Sequence, residues 1–400
     1  MRPSPARTSS APTNRTDAGP SRFKHARRIK NQRALYGAVL ALTGILAFST
    51  AGLGAAATRL TGNIEVVDLD AVIAHERPAL PTEAEIVAAQ LEVAPPDEQE
   101  PAAEVYPELL PVTKGAPMNI LIMGTDDRSG ENGALGGSDA SGARSDSTLI
   151  LHISANRDWI AAVSIPRDTI VNIPSCPTSS GKYTAARPLT RFNAAFAYGA
   201  LAGRDVASGA LCTLTTVEAI TNIRMDGFVV LDFVGFKNMV DALGGIEVDI
   251  PNRIKSPLAE NLELDAGLQT LDGWQALQYA RARTGQGLAS GSDLDRIRRQ
   301  QTVIAAIAHQ VHDTNLLTDS AQLFRFLNAT TSSLTTSSNF ATINGMAELA
   351  SVMSAVEVDN IEFIMAPVRS NPENPNTVLF SHAAKDLWAA LRFDNRPQVG

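Results

Sequence analysis

Residues 34–58 read ALYGAVLALTGILAFSTAGLGAAAT, without one charged side chain. About 20 apolar residues, rising 1.5 Å each, cross a bilayer core of roughly 30 Å, so this stretch is expected to be a transmembrane helix. Directly before it, RFKHARRIKNQR carries Arg22, Lys24, Arg27, Arg28, Lys30 and Arg33. Such a cluster stays on the cytoplasmic side, which sends the helix from inside to outside. A cleaved signal peptide would have a shorter apolar region, although the small residues at 54–57 would suit a peptidase. A buried core helix of this length would show a polar face. The expectation is a single-pass anchor in the cell membrane, with a cytoplasmic N-terminus and an extracytoplasmic remainder.

That anchor divides the chain. Residues 1–33, rich in Ser, Pro, Thr and Arg, read as a disordered basic tail with Asp17 as their one acid. Residues 59–117 read as an extracytoplasmic tether, because EVAPPDEQEPAAEVYPELLP and its surroundings mix Pro, Glu and Ala. Residues 118–400 are expected to form one catalytic domain. A net charge of -8 argues against a nucleic-acid partner. The tail, short and without a helix-turn-helix pattern, reads as an orientation signal rather than a DNA-binding module. Cys176 and Cys212 are an even pair in an oxidising compartment, where a disulfide is expected; the alternative is two separate buried thiols.

At Met118 the texture changes. MNILIMG, STLILHI and WIAAVSI are short apolar runs suited to buried strands, the last two separated by a hairpin-like SANRD. FVVLD and IEVDI are further strand candidates. Between and after them, TLTTVEAITNI, FVGFKNMVDALGG and LDGWQALQYA show helical spacing, with glycines stopping the second and Asp272 capping the third. Strands and helices mixed in this way predict an α/β fold: a single α/β/α sandwich around a mixed central sheet.

No G-x-S-x-G elbow, H-E-x-x-H pair or G-x-x-x-x-G-K-[ST] loop occurs, and His152 sits in an apolar run where a core role is expected. What recurs is arginine beside aspartate: GTDDR (124–128), ARSDST (143–148), SIPRDT (164–169), and YARART (279–284) followed by SDLDRIRRQQ (292–301). The first sits where a strand ends, the place where open α/β sheets bind their ligands; the second leads into a strand and the third follows one. In the last, Asp293, Arg296 and Gln300 share a helix face, while Ile297, Ile304, Ile307 and Val311 form an apolar one. Arg281 and Arg283 alternate, so an extended chain would point both the same way. Converging guanidinium groups suit a ligand with many anionic oxygens, and aspartates among them suit magnesium. Surface ion pairing is the bland alternative for any one of these clusters.

In this order, NILIMGTD, RSDSTLIL, VSIPRDT, FNAAFAYG, VEAITNI, FVVLDFVGFKNMVDALGGIEVDI, LDGWQALQYARAR and DLDRIRRQQ resemble the LytR-CpsA-Psr family of cell-wall glycopolymer transferases, over roughly residues 118–310. The resemblance implies an α/β/α domain whose apolar groove holds a polyprenyl chain, with the pyrophosphate gripped by arginines. By motif, Asp126 and Asp146 would bind Mg2+ or another divalent cation. Arg144, Arg167, Arg281, Arg283 and Arg296 would contact the pyrophosphate, with Gln300 beside them. Arg281, Arg283, Asp293 and Arg296 would be catalytic, Asp293 orienting an arginine or acting as a base. Three features depart from the pattern: a second acid at Asp127, a long Gly/Ser loop at 129–142, and a glycine-rich loop at 284–292 in place of a histidine.

The implied activity moves a glycopolymer from a polyprenyl-pyrophosphate carrier to a hydroxyl of peptidoglycan, forming a phosphodiester. The implied partners are the lipid-linked glycan donor, the peptidoglycan acceptor and the lipid bilayer. A polyprenyl-pyrophosphate phosphatase and a non-catalytic module that binds lipid-linked polymer are the competing readings. Lys182, Tyr183 and Arg187, between the cysteines, are candidates for touching the acceptor or form a solvated loop.

Overall fold

The computed structural model describes residues 64–73, 77–93, 115–126, 145–288, 293–313, 320–331, 334–342 and 356–398, with a few isolated positions between. The basic tail at 1–33 and the expected membrane span at 34–58 lie outside the described residues. Among those described, no helix is long and apolar enough to cross a membrane.

The first elements are strand β1 (Glu65–Val67) and helices α1 (Leu69–Ile73) and α2 (Glu83–Val93). They correct the expectation that all of 59–117 is tether. Val67, Leu69 and Ile73 are buried in the main core. Arg77 reaches Glu218 at 2.8 Å, with both side chains almost completely buried. The run IEVVDLDAVI is locally apolar, and the Pro-rich composition that marks a tether starts only after it. Residues 94–114 lie outside the described residues.

Strands β2 (Met118–Thr125), β3 (Ser145–Ile153) and β4 (Ile160–Ser164) form an antiparallel meander. The β3–β4 connection turns through Arg157 at φ 60. A separate hairpin follows, β5 (Ile170–Ile173) with β6 (Arg187–Arg191), and then helices α3 (Ala194–Gly203) and α4 (Val206–Thr221). Strand β7 (Gly227–Leu231) returns parallel to β2 and leads into α5 (Phe233–Ala242). Four short strands come next: β8 (Ile246–Ile250), β9 (Ile254–Ser256), β10 (Leu262–Leu264) and β11 (Gly267–Leu271). Helices α6 (Gly273–Arg281), α7 (Asp293–Asp313) and α8 (Ser320–Thr331) precede strands β12 (Leu334–Ser337), β13 (Ile361–Met365), β14 (Val368–Ser370) and β15 (Val378–Phe380). Helix α9 (His382–Arg392) is the last element.

The central sheet is mixed, in the order β1-β12-β7-β2-β3-β4-β13. One face carries Leu121, Met123, Ile150, Val163 and Phe228 against α3, α4 and α9. The other carries Ile120, Leu149, Leu151, Ile160 and Ala162, with Ile304 of α7 packed on it. IEVDI is a strand, as expected, but it pairs with β11 outside this sheet. Its burial alternates strictly, whereas the central strand β4 is buried at every position. A strand with one polar face suits a hairpin whose single apolar face rests on helices. β8 to β11 build such a layer against α6 and α7.

The local signals act as the side-chain chemistry requires. Asp272 accepts from the Gln275 amide and Gln275 reciprocates, a complete capping box for α6. Helix α5 stops before Gly244 and Gly245, both at positive φ (83 and 100). Cys176 and Cys212 are joined by a disulfide with their Cα atoms 4.9 Å apart, tying the end of the β5 strand to α4. His152 has the expected core role. Its Nδ1 lies 2.7 Å from Asn119 Oδ1, its Nε2 3.0 Å from Asp394 Oδ1, and its ring stacks on Trp159.

Candidate active site

Parallel strands β2 and β7 end at the same sheet edge where antiparallel β3 begins and β4 ends. Four aspartate- or arginine-bearing segments therefore meet there. Asp126, immediately after β2, is buried. Asp146 belongs to a β-bulge: Thr125 pairs with Ser145 and Gly124 with Ser147, which leaves Asp146 as the extra residue. A bulge re-aims the side chain it releases. The released carboxylate lies 2.6 Å from Arg167 Nη1.

Arg167 follows the end of β4, and its Nε sits 3.5 Å from Asp168. Asp168 in turn lies 3.4 Å from Arg191 on β6. Arg296, in the first turn of α7 and 2% exposed, donates from Nη2 to the Asp146 carbonyl at 3.3 Å. Burial pushes the Asp146 carboxyl up. The Arg167, Arg296 and Arg283 charges together outweigh that, and hold it below the ordinary aspartate value. The edge therefore presents an ionised carboxylate among guanidinium groups.

Arg281 and Arg283 are not both on extended chain, contrary to the expectation from their alternation. Arg281 is the last residue of α6, stacked 4.3 Å over the Phe233 ring. Ala282 turns the backbone extended (φ -56, ψ 132) and is buried, and Arg283 follows, exposed. Both arginines nevertheless line the same cavity. One contributor went unnoticed in the sequence. Arg299, buried on α7, donates to the Ala282 carbonyl and so fixes the peptide between the two arginines. Only its place three residues beyond Arg296 hinted at this.

The cavity is a groove of about 760 Å³ between the second sheet face and helices α5, α6 and α7. Its floor is Ile122, Leu149, Leu151, Ala162 and Val229; Phe236, Met239, Leu277, Val303 and Ile307 form its walls. Asp146, Arg281, Arg283, Arg296 and Gln300 line the same space. One continuous volume is thus apolar along most of its lining and strongly charged where the strands end. An extended apolar chain with an anionic head has the shape and chemistry to fill it.

Asp146, Arg281, Arg283, Arg296 and Gln300 are therefore brought together, with Arg167 one contact behind and Asp126 on the same edge. Arg144, Asp127 and the loop at 129–142 lie outside the described residues, as does the side chain of Asp293, whose backbone starts α7. Among the described residues, no three His, Cys, Asp or Glu side chains cluster to hold a metal by themselves.

Comparison with known proteins agrees with this geometry. The chain is 31% identical over 232 residues to the polyisoprenyl-teichoic acid–peptidoglycan teichoic acid transferase TagU of Oceanobacillus iheyensis, covering 58% of this chain and 61% of that protein. It is 29% identical over 267 residues to the cell wall biosynthesis protein LcpA of Corynebacterium glutamicum, covering 63% of this chain and 50% of the relative. The chain thus spans half to three fifths of the length of these relatives. Its fold is shared with a LytR-Csp2A-Psr enzyme from Actinomyces oris, at a TM-score of 0.51 and 20% identity, over 71% of this chain and 92% of that one. The LytR_cpsA_psr family model matches residues 86–392, from within α2 to the last residue of α9, and the chain belongs to that family.

Proposed function

We propose that this protein is a membrane-anchored transferase that moves a glycopolymer from a polyprenyl-pyrophosphate carrier onto a hydroxyl of peptidoglycan. One observation carries the reading: an apolar groove of about 760 Å³ whose lining includes Arg281, Arg283, Arg296, Gln300 and the ionised Asp146. The name of the relative from Oceanobacillus iheyensis, a teichoic acid transferase, supports the same reaction class, and that of the relative from Corynebacterium glutamicum supports a part in cell-wall biosynthesis. The uncharged stretch at 34–58 and its basic flank support an outward-facing domain held at the bilayer that supplies the donor.

In this reading the groove takes the polyprenyl chain and keeps water from the reacting phosphate, favouring transfer over hydrolysis. Arg281, Arg283 and Arg296, with Arg144 and Arg167, hold the pyrophosphate, and Gln300 supplies a neutral donor. The hydroxyl oxygen of the wall glycan attacks the phosphorus attached to the sugar. The bond from that phosphorus to the bridging oxygen breaks, and polyprenyl phosphate leaves. The hydroxyl proton passes to a base, for which Asp293 at the start of α7 is the candidate. Because guanidinium stays charged at any working pH, the site stabilises the growing phosphate charge without a proton change of its own.

Asp126 and Asp146 fit a magnesium ion. They follow the paired residues Thr125 and Ser145, and Asp146 is held ionised. Two carboxylates plus ligand phosphate oxygens are a donor set this ion accepts. When bound, it would draw charge from the pyrophosphate.

The test combines the full chain with a synthetic polyprenyl-pyrophosphate oligosaccharide, magnesium and insoluble wall glycan. Sugar joined to the glycan through phosphate, with release of polyprenyl phosphate, is expected. Arg281→Ala should lower that transfer by at least about a hundredfold while the domain stays folded. Sugar phosphate released regardless of acceptor would make the protein a phosphatase, and binding without turnover would make it a carrier module.

A further inference from the structure

The β5–β6 hairpin has a feature that folding does not explain. Across it Val171 pairs with Thr190 but Ile173 pairs with Arg187, so Pro188 and Leu189 bulge from β6. Leu189 stands at φ 47, a left-handed conformation that side chains larger than glycine rarely adopt. Its side chain is 78% exposed, so burial returns nothing for the strain. The conformation is held: the Leu189 amide donates to Asn172 Oδ1 at 3.0 Å. A strained, exposed and pinned leucine on a bulge points to a surface built for contact.

The bulge is flanked by two arginines that are themselves restrained. The Arg187 guanidinium lies 4.5 Å over the Tyr198 ring of α3. Arg191 is held by Asp168 at 3.4 Å and donates to the Asn376 carbonyl, while remaining about half exposed. The hairpin also joins the charged sheet edge directly. The Phe192 amide donates to the Thr169 carbonyl (2.8 Å) and the Asn193 amide to the Arg167 carbonyl (3.1 Å). Asp168 bridges Arg191 to Arg167, which meets Asp146. The lip therefore adjoins the site at Arg167, while the groove's lining is drawn from the second sheet face and its helices.

We infer that Arg187, Leu189 and Arg191 form a docking lip for the acceptor, a carboxylate-bearing glycan strand laid beside Arg167. The inference rests on the transferase reading and adds to it the place where the second substrate binds. The chemistry is complementary: sugar rings present C–H faces that pack on an apolar side chain, and the carboxylates of a wall glycan match two guanidinium groups. Preset arginines lose little freedom on binding. The donor's lipid has its own groove, so the lip is free to serve the other reactant.

Leu189→Asn separates this role from a structural one, because asparagine tolerates the left-handed conformation. Sedimentation of the full chain with insoluble wall glycan, without donor, reads the lip as the difference between variant and wild type. The variant should melt no lower than the wild type, and its glycan affinity should fall about tenfold. Arg187→Gln should weaken the same binding, and added salt should weaken it further in the wild type. In the transfer assay Leu189→Asn should raise KM for the acceptor about tenfold, with kcat and donor affinity held. Unchanged glycan binding by a folded Leu189→Asn protein, or no glycan binding by the wild type, would overturn the inference. If the wild type binds glycan and donor yet joins nothing, the transferase reading falls, and the sedimentation result still decides the lip.

Discussion

Asp146 owes its position to a mismatch of one residue between β2 and β3. Without the bulge its side chain would take the ordinary alternation of the strand; with it, the carboxylate meets Arg167 at 2.6 Å. The arginines hold its carboxyl pKa below the ordinary aspartate value despite burial. The sign follows: a depressed carboxyl stabilises the fold above about pH 4, and the contribution disappears as pH falls through its still lower folded value. Asp146→Asn should therefore melt lower than wild type at pH 7, by at most about 1 kcal/mol because the pair is partly solvated. The difference should close in acid, as paired melts across pH would show. Transfer should fall by about a hundredfold or more over the same neutral range; full activity would remove Asp146 from the site. The motif ARSDST was legible as chemistry because its residue types are local. The bulge was not, since register depends on a partner strand some twenty residues away. For the same reason Arg281 and Arg283 were legible as a pair but not as a helix end followed by one extended residue.

The elements the sequence described well are those whose signals are local and repeated: the apolar runs of β2, β3 and β4, the glycines after α5 and the capping box of α6. β1 was missed because three residues make a weak pattern, and its partner β12 lies some 270 positions later. The hairpin of β5 and β6 was equally hard to read, since β6 is exposed at nearly every position. It holds its place through what it is tied to, and the Cys176–Cys212 disulfide is the strongest tie, crossing from the end of β5 into α4. A closure of 36 residues restricts the unfolded chain by roughly 4 kcal/mol on the loop-entropy account. The Cys176→Ser, Cys212→Ser double variant should accordingly lose about 2–4 kcal/mol, with a fall in Tm of several degrees by calorimetry. A reductant should reproduce the loss in the wild type and leave the double variant unmoved. If the wild type ignores reductant, the bond is not what holds the hairpin.

The two faces of the sheet are put to different uses. On the first, Leu121, Ile150 and Val163 are completely buried beneath α3, α4 and α9, and that layer is packed as a core should be. On the second, α5, α6 and α7 stand off the strands and leave about 760 Å³ between. Such a groove leaves its apolar lining uncovered, and a bound apolar chain would remove that surface from water. Helix α7 runs the length of this space, with Arg296 and Ala308 both lining it; twelve residues of helix separate them, about 18 Å. A large side chain at Ala308 should therefore obstruct the lipid far from the arginines without touching the head group. Ala308→Trp is expected to melt at or above the wild-type temperature, because it fills apolar space. Its affinity for a donor with a short prenyl chain should be near normal, and its affinity for a long-chain donor should fall tenfold or more, about 1.4 kcal/mol. Donor-induced shifts in Tm read both, since a ligand at a hundred times its Kd adds about 2.7 kcal/mol. Equal shifts with the long-chain donor in variant and wild type would mean that the chain does not run along α7, and the groove would need another occupant.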